Sequence, residues 1–218
     1  MIVTENKPLI QLCEILQGYA KVFLVGCGEC ATTCKTGGKD ELEKFKKELE
    51  KMGKEILGMC VPKAPCVVLQ TKRELEVYKE KISGADALLV FACGLGVQAV
   101  RELFPQDGLI VLPACNTLFG AVIDKKGNFY EKCSLCGECV LELTGGVCPV
   151  TVCSKGLLNG PCGGMNKGKC EVDTERDCAW VLIYRELEKQ NKLDQLKKTN
   201  PARDYKKHAK PQRLILTR

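Results

Sequence analysis

The sequence predicts an α/β protein in which a parallel, doubly wound sheet of the Rossmann or flavodoxin-like kind precedes a small cysteine-rich metal-binding domain. Two observations predict the sheet: short apolar runs alternate with helical patterns over the first 120 or so residues, and cysteines directly follow several of the runs. A third observation predicts the second domain, because the stretch from Cys133 to Cys178 holds eight of the chain's 16 cysteines. We expect a sheet domain over 1–125, a cysteine-rich domain ending in a helix over 126–198, and a basic tail over 199–218.

The predicted elements follow one another in the order that a parallel sheet requires. Leu42, Phe45 and Leu49 repeat at helical spacing, and Asp40 with Glu43 forms a capping-box start for that helix. Apolar runs that end at Gly or Cys indicate buried strands. The expected order is helix 9–17, strand 21–25, helix 40–52, extended segment 55–59, helix 73–82, strand 87–91, helix 97–103 and strand 109–112. The polar turn 124–128 marks the boundary of the sheet domain, and a further helix begins after Cys178.

Cysteines stand where the predicted strands end. Cys27, Cys60, Cys93 and Cys115 each follow such a strand, at the sheet edge where open parallel sheets bind ligands. Cys27, Cys30 and Cys34 share one turn with C-x-x-C-x-x-x-C spacing, which favours a ligand role for all three. We therefore predict a [4Fe–4S] cluster on Cys27, Cys30, Cys34 and Cys93, with Cys60 as the competing fourth ligand. Cys66 and Cys115 are interpreted as buried small hydrophobic residues.

The cysteine-rich stretch opens as C-x-x-C-x-x-C, the short spacing that wraps one corner of an iron–sulfur cluster. Glycines between the later cysteines let backbone amides approach bound sulfides. The predicted ligands are Cys133, Cys136, Cys139, Cys148, Cys153, Cys162, Cys170 and Cys178. Eight thiolates make two four-ligand sites, but the spacing leaves their pairing open, and tetrahedral sulfur ligation suits zinc as well as iron.

Composition excludes several classes of protein. The single histidine, His208, leaves no histidine base, no Cys₂His₂ zinc site and no histidine-ligated haem in the core. The first 18 residues carry charges that do not fit a secretory leader, so we expect a cytoplasmic protein in which clustered cysteines bind metal. The charge-free apolar run 87–97 falls short of the ~20 residues that cross a bilayer, so no membrane span is expected.

The C-terminal region carries the basic charge. Residues 185–218 hold 11 Lys or Arg against 4 Asp or Glu, within a chain of net charge +6. Such a run is interpreted either as a solvated helix with a frayed end or as a docking arm for an acidic partner. Nucleic acid is not expected, because Tyr205 alone supplies an aromatic surface among these charges.

A nucleotide site is a rival interpretation. Gly26-x-Gly28-x-x-Ala31 and Gly94-x-Gly96-x-x-Ala99 both match a loose dinucleotide fingerprint. The acidic residue that would hold a ribose is missing, since Cys60 ends the second strand. The same amide-rich turns would serve an anionic cluster.

Several motifs resemble the small cysteine-rich subunit, or C-terminal domain, of bacterial methylenetetrahydrofolate reductase. The resemblance covers about residues 20–190 and rests mainly on TGGVCPVTVCSKGLLNGPCGGMNKGKCEV, with GCGEC at 26–30 and ACGLGVQ at 92–98. It implies an electron-transfer subunit with two or three [4Fe–4S] clusters, zinc possible in place of one C-terminal cluster. It also implies a flavin-containing catalytic subunit as partner and an electron donor such as ferredoxin or a larger redox complex.

Two other functions stay open beside the electron-transfer subunit. In the first, the C-terminal cysteines bind structural zinc and the chain is an assembly scaffold without a redox role. In the second, weaker alternative, the chain is itself a nucleotide-binding redox enzyme. The sequence offers no residues for acid–base catalysis in a plausible pocket, so no catalytic residue is predicted.

Overall fold

The chain divides into two compact units, Met1–Phe119 and Gly120–Arg218, in a computed structural model that describes residues 1–105 and 108–216. The last two residues of the predicted basic tail therefore lie outside the described residues. The strands are β1 (Ile2–Asn6), β2 (Lys21–Val25), β3 (Glu55–Cys60), β4 (Ala87–Val90), β5 (Ile110–Pro113), β6 (Cys115–Ile123) and β7 (Phe129–Glu131). The helices are α1 (Leu9–Ile15), α2 (Cys30–Thr33), α3 (Lys39–Lys51), α4 (Val68–Glu76), α5 (Lys79–Ser83), α6 (Gly94–Glu102), α7 (Pro149–Val152) and α8 (Ala179–Lys189).

A four-stranded parallel sheet organises the first unit, so the predicted α/β class with a parallel sheet is confirmed. Its strand order is β3-β2-β4-β5. The chain moves outward from β2 to β3 and then returns to the other side of β2 to form β4. The point between β2 and β4 is therefore a topological switch point, where ligands bind in open α/β sheets.

Alternate strand residues face two different helical layers. On one face Leu24, Leu89 and Phe91 pack with residues of α1 and α3, such as Leu12 and Leu42. On the other face Phe23, Val25 and Val90 pack with residues of α4, α5 and α6. A strand buried on both sides needs an unbroken apolar run, which is why KVFLV and ALLV lack the polar alternation of a surface strand.

Gly58 adapts β3 to its neighbour. The β2–β3 register shifts after Val22, so that Phe23 stands opposite Gly58. A Cβ atom on Gly58 would lie 2.8 Å from Cε2 of Phe23. The glycine therefore makes room for an aromatic ring that is itself fully buried.

The second unit has little regular structure and a small core. β7 forms an antiparallel pair with the end of β6, joined by the turn 124–128. Cys178, Trp180, Ile183 and Leu187 form the unit's cluster of buried residues. Trp180 donates a hydrogen bond from Nε1 to the Leu157 carbonyl at 3.1 Å, as a core indole usually does. Among the described residues, no helix has both the length and the apolar character needed to cross a bilayer.

Several element predictions were wrong in detail. The helix expected over 73–82 is two helices, broken where Tyr78 packs its ring against Phe23 at a centroid distance of 5.6 Å. The helix expected to start at Asp40 starts at Lys39, and Glu41 rather than Glu43 accepts the Gly38 backbone N–H at 3.0 Å. The division into two units at Phe119/Gly120 falls close to the polar turn 124–128 and shortly before it. β1, β6 and β7 were not predicted.

Candidate metal centres

The loop after β2 places three cysteines around the start of the chain. Cys27 is buried, its N–H donates to the Gly37 carbonyl at 2.9 Å, and its carbonyl accepts from Thr32. Cys30 is the first residue of α2, which is a single helical turn, and Cys34 directly follows that turn. Both thiols contact the backbone of Ile2: its N–H donates to Cys30 Sγ at 3.4 Å, and Cys34 Sγ donates to its carbonyl at 3.8 Å. The predicted three-thiol loop is therefore folded against β1.

Cys93 reaches the same place from the neighbouring strand. It caps the N-terminus of α6, directly after β4, and is 8% exposed. Since Val25 and Val90 pair across β2 and β4, Cys27 and Cys93 flank the switch point. Burial raises the pKa of the Cys27 thiol above its usual value, and the nearby Cys30 and Cys93 thiolates would raise it further. A thiol in this position loses its proton readily only when a cation takes the proton's place.

Cys60 and Cys115 differ in their surroundings. Cys60 lies against the Glu74 carbonyl at 4.0 Å, and burial, with a smaller contribution from Glu74, raises its pKa to about 11. Burial raises the pKa of Cys115 to about 12, against hydrogen bonds from Thr36 and Asn6 that lower it. Cys34 and Cys27 are close enough to add to that rise. Cys115 thus packs in the core, as interpreted from the sequence, and also borders the cluster of thiols. The same interpretation was wrong for Cys66, which is exposed.

The glycines of the two dinucleotide-like turns contact the protein's own backbone. A Cβ on Gly26 would lie 2.5 Å from the Gly37 carbonyl oxygen, and one on Gly28 would lie 3.2 Å from Cα of Lys63. A Cβ on Gly96 would meet the Ala92 side chain at 2.9 Å. Close packing within the protein explains Gly26, Gly28 and Gly96 without a nucleotide, whereas a Cβ on Gly94 would make only an ordinary contact with Thr117 at 3.6 Å.

In the second unit the opening C-x-x-C-G segment forms a tight loop. Leu135 and Gly137 adopt positive φ angles of 55° and 77°, and the Leu135 N–H donates to Cys133 Sγ at 3.4 Å. A hydrogen bond from the Glu138 backbone lowers the pKa of Cys136, and the Arg203 guanidinium lowers it further. Backbone amides that point at sulfur stabilise the thiolate form, which is the form that binds metal.

Four of the later cysteines line one cavity. Its volume is about 20 Å³, and its lining includes Cys153, Cys162, Cys170 and Cys178. Cys178 is buried and caps α8, while its N–H donates to the Gly168 carbonyl at 2.8 Å. Hydrogen bonds from the Val172 backbone, and then from Ser154, lower the pKa of Cys170. These four cysteines therefore share one cavity, and the other four cysteines of the segment do not line it: Cys133, Cys136, Cys139 and Cys148.

All 16 cysteines are free thiols. Over the described ranges, no three cysteine, histidine or carboxylate side chains come together in an arrangement that could hold a metal ion. The predicted ligand sets therefore remain predictions. Their donor chemistry still fits a soft metal, because each set offers thiols and several receive backbone N–H bonds.

Sequence reasoning missed Arg203, which donates from Nη2 to the Cys136 carbonyl at 3.3 Å. Arg203 and Cys136 are 67 positions apart, and no motif links them. The contact depends on where the tail folds, which the sequence pattern does not show. One feature of the sequence weakly indicated that Cys115 would lie near Cys27: Cys115 follows the last strand of the sheet.

Residues 112–206 match the family described as methylene-tetrahydrofolate reductase C terminal. The match spans less than half of the 218-residue chain but includes all eight cysteines from Cys133 to Cys178. It does not include the cysteine loops of β2 and β4. No curated protein and no solved structure gave a significant match. Over this region the chain is similar to the C-terminal part of methylenetetrahydrofolate reductases.

Proposed function

We propose that this chain is the electron-transfer subunit of a methylenetetrahydrofolate reductase complex. It would take electrons from a donor such as ferredoxin or a larger redox complex and pass them to a flavin-bearing catalytic subunit. Iron–sulfur centres held by its cysteines would carry the charge. The family match supports the link to the reductase, and the redox role is proposed from Cys27 and Cys93, which follow two paired strands and lie near Cys30.

Cys27, Cys30, Cys34 and Cys93 would hold one [4Fe–4S] cluster in the first unit. When bound, such a cluster supplies one-electron transfer. The chain would supply the thiolates, a site at the switch point and an apolar sheet beneath it. The surroundings of Cys60, which contacts the Glu74 carbonyl rather than the thiols of the β2 loop, favour Cys93 as the fourth ligand. Cys115 also lies close to Cys27, so its substitution belongs in the same test of ligand roles.

In the second unit, Cys133, Cys136, Cys139 and Cys148 would hold one centre, and the four cysteines of the shared cavity would hold another. These ligands would also hold the fold together, because the buried cluster here contains only four residues. Loops rich in glycine with little core need such a constraint to stay folded.

A structural zinc site is the second candidate, and one observation favours it. Four cysteines line one cavity, Cys153, Cys162, Cys170 and Cys178, and four thiolates are the ligand set of a closed tetrahedral zinc site. Zinc in this site with iron in the others is compatible with an electron-transfer subunit. Zinc in every site would make the chain a scaffold without a redox role.

The folate and flavin sites would lie on the partner. A (β/α)₈ barrel needs eight parallel strands, whereas the sheet of the first unit has four. We therefore expect no folate reduction from this chain alone.

Reconstitution tests the proposal. The chain and a candidate flavin subunit are mixed anaerobically with reduced ferredoxin, and consumption of methylenetetrahydrofolate is followed. We expect turnover only when both proteins are present. Full turnover by the flavin subunit and ferredoxin without this chain would rule out the relay and favour the zinc scaffold.

A further inference from the structure

The first part of the basic tail is folded onto the cysteine loop of the second unit. Residues 204–216 are exposed, whereas Arg203 is partly buried. Its Nη2 donates to the Cys136 carbonyl at 3.3 Å. Arg203 therefore contacts the backbone of one predicted metal ligand.

Two further contacts fix the same segment. Glu138 accepts from the Asp204 N–H at 3.3 Å and pairs with Lys207 Nζ at 2.7 Å. Gly137, which stands between Cys136 and Glu138, packs against the backbone of the tail. A Cβ atom on Gly137 would lie 2.4 Å from the Lys207 carbonyl oxygen. Three consecutive residues of the loop thus each meet the tail, so the loop and this part of the tail pack together.

Two buried polar atoms, one in the tail and one in the loop, have no hydrogen-bond partner among the described residues. They are Arg203 Nε and Ser134 Oγ. Ser134 lies in the loop itself, between Cys133 and Cys136. Buried donors rarely stay unpaired in proteins. Beside a loop of thiols, two free donors indicate an anionic acceptor such as a metal-bound thiolate or sulfide.

We propose that Arg203 is a positioning residue for the metal centre of the Cys133–Cys139 loop. This inference rests on the proposed function, because it takes Cys133 and Cys136 to be metal ligands. The fixed positive charge of Arg203 balances thiolate charge, while its planar fork holds the Cys136 backbone. The tail then has two parts: a clamp over 200–208 that belongs to the metal centre, and an exposed basic arm over 209–216.

Full-length Arg203→Met is compared with Arg213→Met, which removes the same charge from the exposed arm. Both variants and the wild type are purified anaerobically, and the loss of metal to excess EDTA is followed. We expect part of the metal to leave Arg203→Met about 10-fold faster or more, the usual effect of losing a group that supports a metal ligand, while Arg213→Met matches the wild type. Arg203→Lys, which keeps the charge but not the fork, should fall between them.

A spectroscopic measurement separates positioning from simple folding. In the reduced proteins, Arg203→Met should alter one EPR signal and leave the others unchanged, whereas Arg213→Met alters none. Metal release and spectra equal to the wild type in Arg203→Met would overturn the proposal. If that variant fails to fold, Glu138→Gln and Lys207→Met loosen the same clamp from its exposed side, and wild-type metal release in both would overturn it.

Different results would contradict the proposed function. Wild-type protein without metal would remove the ligand assignment and this inference together. Zinc without iron would remove the electron-transfer role, while the comparison of Arg203→Met with Arg213→Met would still decide on the clamp.

Discussion

Removal of metal should unfold the second unit and leave the first unit folded. The two units differ in the cores that they bury. The first has two clusters of ten buried residues each, on the two faces of its sheet. The second has one cluster of four. Since a fully buried leucine or phenylalanine contributes roughly 1.5–3 kcal/mol, the first core is large enough to survive without metal and the second is not.

The structure sets the size of the expected change. In the described residues, α7 and α8 contain 4 and 11 residues, while α1 to α6 together contain 47. Loss of the second unit should therefore remove about a quarter of the α-helical circular dichroism. The remaining signal should melt cooperatively on heating, as expected of a single folded domain.

The assay combines circular dichroism with limited proteolysis, before and after treatment with a chelator under reducing conditions. After chelation, cleavage should spread through the region beyond Gly120 and leave a resistant fragment that ends near Phe119. A chelated protein with unchanged ellipticity and unchanged resistance would refute the reasoning, and so would unfolding of both units together.

Three further predictions follow from the sites and the tail. Cys93→Ser should remove or strongly shift one EPR-detectable centre while the C-terminal metal stays; the same loss in Cys60→Ser but not in Cys93→Ser would reverse the choice of fourth ligand. Cys136→Ser and Cys162→Ser should each lower metal content and expose the second unit to protease, and unchanged metal in both would contradict the ligand assignment. Deletion of residues 209–218 should weaken association with an acidic flavin subunit, most at low ionic strength, but keep the metal; equal binding at all salt concentrations would show that the arm does not dock.

The parallel sheet could be predicted because its signal is local and strong. The runs KVFLV and ALLV are apolar throughout, and burial on both faces requires that pattern. Strand β6 has mostly exposed or partly exposed residues, so its sequence lacks a clear periodic pattern. The break at Tyr78 was hidden for another reason: it depends on a contact with Phe23, which lies far away in the sequence.

The candidate sites could be predicted only as groups of residue types. The strand-end positions of Cys27 and Cys93 follow from topology, and the structure places both at the switch point. Spacing along the chain could not divide the eight C-terminal cysteines, because glycine-rich loops allow many pairings; in the structure Cys153, Cys162, Cys170 and Cys178 line one cavity. The tail was predicted as one basic segment, yet Arg203 is folded against Cys136. Net charge alone does not distinguish a clamp from a free arm.

Metal analysis of the anaerobically purified chain tests the central claim most directly. Iron, zinc and acid-labile sulfide are measured per chain, and EPR spectra are recorded before and after reduction. The proposal predicts a coloured protein with at least about four irons and a similar amount of sulfide, as one [4Fe–4S] cluster requires, and with a signal that appears on reduction. A colourless protein that contains zinc but neither iron nor sulfide would contradict it.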